Sequence, residues 1–367
     1  MRQSLRLGSI SGIPVGLNWG LLLVAGFSLL NLAVAIYPAS VPGASALSYW
    51  AFSAATVVLF FGSILAHELG HSIVAQRNGI GVRAITLWFL GGVAELEREA
   101  DEPGVEFRIA IAGPAVSVGL GVGFGLLAYA SSVFVGGGLL AFSFGYLAFV
   151  NVVLAVFNMI PAAPLDGGRV LAAVLWRRSE NRHQARATAA RAGEVFGTVL
   201  IVGGVLGVLT GQGTLLLGLL GVFLRVAAGS ERVQATRLDA MTRAGIRDAM
   251  AVIQRPITPG ITLAGLESMS YGSDQPVAFP LWGRDGVIGL VSSSVITRVP
   301  PAQRVYDTVD RHVVEWDRFT SARVDEAMVD VHERARLAGK QHVLIYDSLG
   351  AQVGHLDLSD IVAPQPA

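Results

Sequence analysis

The sequence predicts a polytopic α-helical membrane protein of about six transmembrane helices, followed by a soluble α/β domain. Three observations carry that expectation. Of 367 residues 52% are hydrophobic and only 15% charged, and the mean hydropathy of +0.56 is too high for an ordinary soluble chain. Ionisable residues are absent from 8–66, 109–165 and 195–224, and each tract exceeds the roughly 20 residues of one helical span. From about residue 230 charges are spread throughout, with short strand-like runs at 286–291 and 342–346.

Each apolar tract is divided by breakers suited to a hairpin turn. These are the 37–43 run with Pro38, Pro42 and Gly43, then Gly136-Gly137-Gly138, then Gly211-Gln212-Gly213. The expected spans are 14–36, 49–75, 108–132, 138–159, 193–209 and 213–228. None of the three turns carries charge, whereas Arg2, Arg6, Arg77, Arg83, Arg169, Arg177, Arg225 and Arg232 gather at the opposite ends. That asymmetry places both termini in the cytoplasm of a multi-pass cell-membrane protein, the bacterial plasma membrane being the expected one. The first apolar tract runs past the core length of a signal peptide without a small-residue cleavage site, so none is expected. The domain plan is therefore 1–228 for the membrane region, 229–245 for a linker, 246–362 for the soluble domain and 363–367 for a terminal tail.

Formal charge balances at zero, so nucleic acid is not an expected partner. No cysteine is present, and a transition metal would have to be held by His, Asp or Glu. Such residues occur at the end of the second span, in His67-Glu68-Leu69-Gly70-His71. On a helix the i, i+4 spacing turns both imidazoles to one face with Glu68 beside them, which gives two metal ligands and a general base. Ionisable groups at that depth are costly unless a cation or another partner offsets them. The bland reading is a solvated helix end after Ala66. Where the fourth span runs out stands Asn158-Met159-Ile160-Pro161-Ala162-Ala163-Pro164-Leu165-Asp166-Gly167-Gly168. Asp166, at a break made by prolines and glycines, is either a third ligand or an interfacial helix cap.

Together these two motifs, about 90 residues apart on different spans, strongly resemble the site-2 protease family of intramembrane metalloproteases. The resemblance covers residues 8–228. It implies zinc, one ion per chain, held by His67, His71 and Asp166, with Glu68 as catalytic acid/base. It implies that Asn158 positions substrate or stabilises the oxyanion. It also implies a transmembrane protein substrate cleaved within the lipid bilayer, of the anti-sigma or pro-sigma factor type. Residues 87–96 resemble the family's small β-hairpin region, where an unwound substrate could be received by strand addition. Ala112-Gly113-Pro114 resembles a family element of the third span, and the same residues would permit close helix packing. Asn18 stands where related sequences often carry His and is given no ligand role.

Residues 246–362 resemble a pair of CBS modules, with a loose internal repeat around Asp248-Ala249-Met250 and Asp325-Glu326-Ala327-Met328. Asp360 matches the residue that holds the ribose of an adenine nucleotide in such modules, although Asp357 stands at the usual Thr position. A nucleotide site at Asp360 and a nucleotide-free module for homodimerisation or substrate docking both remain open. The alternative function is an ion transporter or channel regulated by the CBS pair, using the intramembrane His/Glu/Asp cluster as an ion path.

Overall fold

The computed structural model describes residues 4–359 apart from 90, 212–214, 244, 274 and 285, so Asp360 lies outside the described residues. The chain divides into two units between Ala235 and Thr236.

The first unit opens with strands β1 (Leu5–Ile10) and β2 (Ile13–Leu17). Helix α1 (Trp19–Ser40) follows, so the first span begins five residues later than residue 14. Asn18 fixes that start, because its side chain accepts the Gly20 N–H at 3.0 Å as an N-cap. Next come α2 (Ala46–Arg77), β3 (Val82–Trp88), β4 (Gly91–Leu96), α3 (Pro103–Phe134) and α4 (Gly138–Asn158). After a break lie α5 (Asp166–Ser179), α6 (Arg182–Leu209) and α7 (Leu215–Arg243). Among the described residues five helices, α1, α2, α3, α4 and α6, are long and apolar enough to cross a membrane. The expected sixth span falls on α7, whose described apolar stretch, 215–224, is cut short by Arg225. Helix α7 continues through most of the expected linker.

Strands β1 to β4 form one sheet in sequence order. β1–β2 and β3–β4 pair antiparallel, and β2–β3 pair parallel. The expected hairpin is thus the outer half of a four-stranded sheet packed, through Ile13, Ile80, Ile85 and Ile109, against α2 and α3. Deeper in the helical region, among buried polar groups, Tyr37 Oη meets Thr56 Oγ1 at 2.7 Å and Ser143 Oγ at 2.5 Å. This ties α1, α2 and α4 through hydroxyls instead of hydrophobic contrast. Phe27, Leu47, Val58 and Phe134 point outward, as lipid-facing side chains do.

The second unit is a seven-stranded sheet ordered β8-β7-β6-β5-β11-β10-β9. Its strands are β5 (Ala251–Ile253), β6 (Val277–Gly283), β7 (Gly286–Ser292), β8 (Val314–Glu315), β9 (Phe319–Arg323), β10 (His342–Tyr346) and β11 (Gln352–Asp357). With helices α8 (Leu263–Ser270) and α9 (Met328–Leu337), the order strand, helix, parallel strand, antiparallel strand occurs twice, as β5-α8-β6-β7 and β9-α9-β10-β11. Each half has its own core, one around Leu263, Leu266 and Leu281, the other around Val331, Val343 and Ile345.

His355 on β11 is 1% exposed, stacked edge-on against Phe319 and within 3.3 Å of His342. Burial and then the neighbouring His342 push its pKa down to about 4, with Asp357 opposing weakly. The folded chain therefore holds His355 neutral where the unfolded chain, near pKa 6.5, takes up a proton. Stability is lost as pH falls from about 6.5 to 4, by at most about 3 kcal/mol. The melting transition of the second unit in the detergent-solubilised chain should drop over that window, and His355→Leu should flatten the slope. An unchanged slope in the variant would contradict this account.

Candidate metal centre

Helix α2 runs unbroken to Arg77, so His67, Glu68 and His71 lie well inside it, and His67 and His71 are only 4% and 5% exposed. No helix end occurs at Ala66. Asp166 arrives from elsewhere in the chain as the first residue of α5, after the break that follows α4. Its Oδ2 stands 3.1 Å from His67 Nε2 and 3.3 Å from His71 Nε2, and the two Nε2 atoms are 3.2 Å apart. Three ligand atoms thus form a nearly equilateral triangle.

The far side of each ring explains what faces inward. His71 Nδ1 lies 2.6 Å from the Ile109 carbonyl, which can only accept, so Nδ1 carries the proton and Nε2 presents a lone pair. His67 Nδ1 is 2.9 Å from Ser117 Oγ, a hydroxyl able to accept the Nδ1 proton and so leave Nε2 with its lone pair facing inward. Lone pairs of two imidazoles and a carboxylate oxygen then converge on one point, and a cation removes the repulsion. Ligands bound tetrahedrally at 2.0–2.1 Å, as zinc binds nitrogen and oxygen, are separated by about 3.3 Å. The triangle fits zinc, and the outer hydrogen bonds are those that orient metal-binding histidines.

One stripe of α3 builds this arrangement. Glu106, Ile109, Gly113 and Ser117 recur at spacings of three or four along a single helical face. Ile109 and Ser117 fix the imidazoles. At Gly113 a Cβ would stand 2.2 Å from His71 Nε2 and 2.6 Å from His67 Nε2, so only glycine leaves room. Gly70 on α2 does the same for the helix pair, since its Cβ would reach Val116 and the Ala112 carbonyl. Close packing and site construction are therefore one role for Ala112-Gly113-Pro114.

The break carrying Asp166 is held from both sides. Cβ atoms at Gly167 and Gly168 would collide with the backbone of Met159, Ile160 and Ala163, and one at Gly193 of α6 with the Ala163 carbonyl. The Ala163 N–H donates to the Ala189 carbonyl of α6. Irregular backbone is thereby satisfied inside protein, as membrane depth requires. Asn158 is the last residue of α4, half-buried, and its side chain engages no hydrogen-bond partner among the described residues. Gly92 of β4 lies directly on Glu68, where a Cβ would come within 2.3 Å of Cγ and 3.1 Å of Oε1. The sheet edge and the base are therefore adjacent.

Sequence reasoning missed Ser117, Ile109 and Glu106. Glu106 is 3% exposed and accepts from Arg169 Nε at 3.0 Å, with Arg186 at 3.7 Å. Burial disfavours the Arg169 cation, but Glu106 and then Asp166 raise its pKa above the ordinary value. Nearby, against partial burial, Arg186 and Arg182 hold Glu99 below the usual carboxylate range. The only sequence signal was the position of these charges beside an uncharged tract.

Gly113→Ala should strip most of the metal from the purified protein, measured by atomic absorption, while Gly119→Ala, on the same helix but facing open space, should retain it. Equal metal in both would mean that the close approach at Gly113 is not needed.

Comparison with known proteins follows the same outline. The family model described as peptidase family M50 matches residues 55–137 and 137–202, an interval that includes His67, His71 and Asp166. Rip3 of Mycobacterium tuberculosis, assigned by name to the zinc metalloproteases, is 35% identical over 98% of this chain and 92% of its own length. The structure of a site-2 protease from Methanocaldococcus jannaschii is 30% identical and covers 62% of this chain and 94% of that one, at a TM-score of 0.45. A hemolysin-like protein containing a CBS domain from Oenococcus oeni aligns with 34% of this chain and 93% of its own, at 17% identity and a TM-score of 0.22. With Rip3 related along nearly its whole length and the family model spanning the converging His67, His71 and Asp166, this chain belongs to peptidase family M50, the site-2 protease family of intramembrane zinc metalloproteases.

Proposed function

We propose that His67, His71 and Asp166 hold the zinc ion, one per chain, and that Glu68 is the acid/base of peptide-bond hydrolysis within the membrane. The observation that supports this most directly is the convergence of the Asp166 carboxylate with two imidazoles whose outer nitrogens meet Ser117 Oγ and the Ile109 carbonyl. The ion-transporter alternative is not favoured, because family membership and the HExxH spacing account for the same charged groups.

Zinc, when bound, supplies Lewis-acid polarisation of the scissile carbonyl and acidifies water. The remaining work falls to the chain. Glu68 takes a proton from the attacking water as its oxygen bonds to the carbonyl carbon, then delivers that proton to the leaving nitrogen as the C–N bond breaks. One carboxylic acid and one amine result. The unengaged amide of Asn158 either donates to the developing oxyanion or positions substrate. The free edge of β4, beside Glu68, receives an unwound substrate strand through main-chain hydrogen bonds. A transmembrane helix hides its peptide groups in its own ladder, so unwinding precedes attack. The substrate class we infer is a single-span membrane protein of the anti-sigma or pro-sigma factor type. Both termini lie in the cytoplasm, as the Arg distribution suggests.

The second unit, in our reading, is a CBS-like pair. Its doubled strand-helix-strand-strand order supports that. It either binds an adenine nucleotide through Asp360 or serves as a homodimerisation or substrate-docking module.

Two experiments test these readings. Glu68→Gln should keep its zinc and lose roughly 10²–10⁴-fold in cleavage of single-span substrates in liposomes; equal cleavage by both proteins would remove Glu68 from the mechanism. For the second unit, calorimetry of the intact chain with AMP or ATP should show heat that disappears in Asp360→Ala if the nucleotide reading holds. No heat from the wild type would leave the docking module.

A further inference from the structure

Asp166 is held differently from the other two ligands. The two histidines sit within a continuous helix, whereas Asp166 opens α5 directly after irregular backbone, and the residue before it, Leu165, contributes no side-chain cap. Glycine packing seats the start of α5 against the break, and a contact one turn on can fix the rotation of that first turn. Arg169 lies one turn on, at i+3 from Asp166 and so on the same face. It donates through Nε to Glu106 Oε1 at 3.0 Å. Glu106 belongs to the α3 stripe whose Ile109 and Ser117 fix the two imidazoles. The same helix therefore holds all three ligands, two by direct hydrogen bonds and the third through an ion pair one turn away.

We infer that the Glu106–Arg169 ion pair is the positioning element that locks Asp166 into ligating register with His67 and His71. Neither residue is a ligand, and the pair acts on the metal through the rotation of α5. Burial gives it the needed stiffness. The Glu106 side chain is 4% exposed and that of Arg169 33%, so the carboxylate is the buried member and needs a cation beside it. Arg186, at 3.7 Å from the same Glu106 oxygen, is a second cation that would compete for Glu106 if Arg169 were lost, without drawing α5 with it. Charge neutrality alone would then be kept while the register of Asp166 is not.

This inference rests on the ligand assignment above, and cobalt(II) separates the two. Cobalt replaces zinc in tetrahedral sites, and its visible absorption reports coordination geometry independently of activity. The full-length protein in detergent would be loaded with cobalt and titrated against a chelator. Glu106→Gln, which keeps shape and removes charge, should alter the visible spectrum and weaken cobalt binding about ten- to hundredfold, the usual effect of losing an outer-shell partner. Glu106→Asp, which keeps the charge on a shorter side chain, should restore part of both, and helical circular dichroism should be unchanged throughout. Glu326→Gln, which breaks the exposed Arg334 pair in the second unit, should do nothing. A wild-type spectrum and wild-type affinity in Glu106→Gln would overturn the inference while leaving the ligands in place. If Glu106→Gln failed to fold, Arg169→Lys would decide: it keeps the charge but loses the Nε donor, so an altered spectrum supports positioning and an unaltered one overturns it. Cobalt uptake by wild type that persists in His67→Ala would overturn the ligand assignment, and this inference with it.

Discussion

Two imidazoles and one carboxylate, aimed at a single point in a region with no bulk water, are the constraint on which the membrane unit depends. Left to themselves such groups repel or demand protons, and membrane depth makes each unpaired charge costly. Their convergence to within 3.1–3.3 Å of one another has to be enforced by neighbours. α3 enforces it by combining a carbonyl, a hydroxyl and a missing side chain along one face. The closeness of α2 and α3 follows from that, and so do the glycines at 70 and 113. A bound cation would turn that repulsion into attraction.

The same scarcity of water shapes the backbone. Non-helical chain at this depth needs internal partners. The break between α4 and α5 finds them by packing glycines of α5 and α6 against it and by donating to the Ala189 carbonyl. β4 keeps one edge unpaired among the described strands, beside Glu68. The proposed chemistry uses both features together: a satisfied break to present a carboxylate, and an open edge at which an extended peptide could pair.

What the sequence made legible was whatever physics writes locally. Long uncharged tracts marked the spans, and HExxH marked a helical face. The prolines at 161 and 164 marked a break because proline lacks a backbone N–H and disfavours helical backbone in the residue before it. The start of α1 was misplaced, since β1 and β2 are also nearly free of charge and merge with the apolar tract; only the cap at Asn18 separates them. The N-terminal extension of α6 to Arg182 was hidden by its arginines, which pair with Glu99 instead of facing lipid. Ser117, Ile109 and Glu106 could not be found, because their roles exist only once α3 lies against α2 and α5. Nothing in a serine's neighbours says that a histidine fifty residues earlier will reach it. The doubled order of the second unit was partly visible as the repeated Asp/Ala/Met stretch.

The central claim is that one zinc ion is bound by His67, His71 and Asp166. X-ray absorption at the zinc edge of the purified protein tests it most directly. The account predicts a first shell of about four nitrogen and oxygen neighbours at 2.0–2.1 Å, with the outer-shell scattering of two imidazoles, falling to one imidazole in His71→Ala. A shell of six oxygens without imidazole scattering, or a wild-type spectrum in that variant, would contradict it.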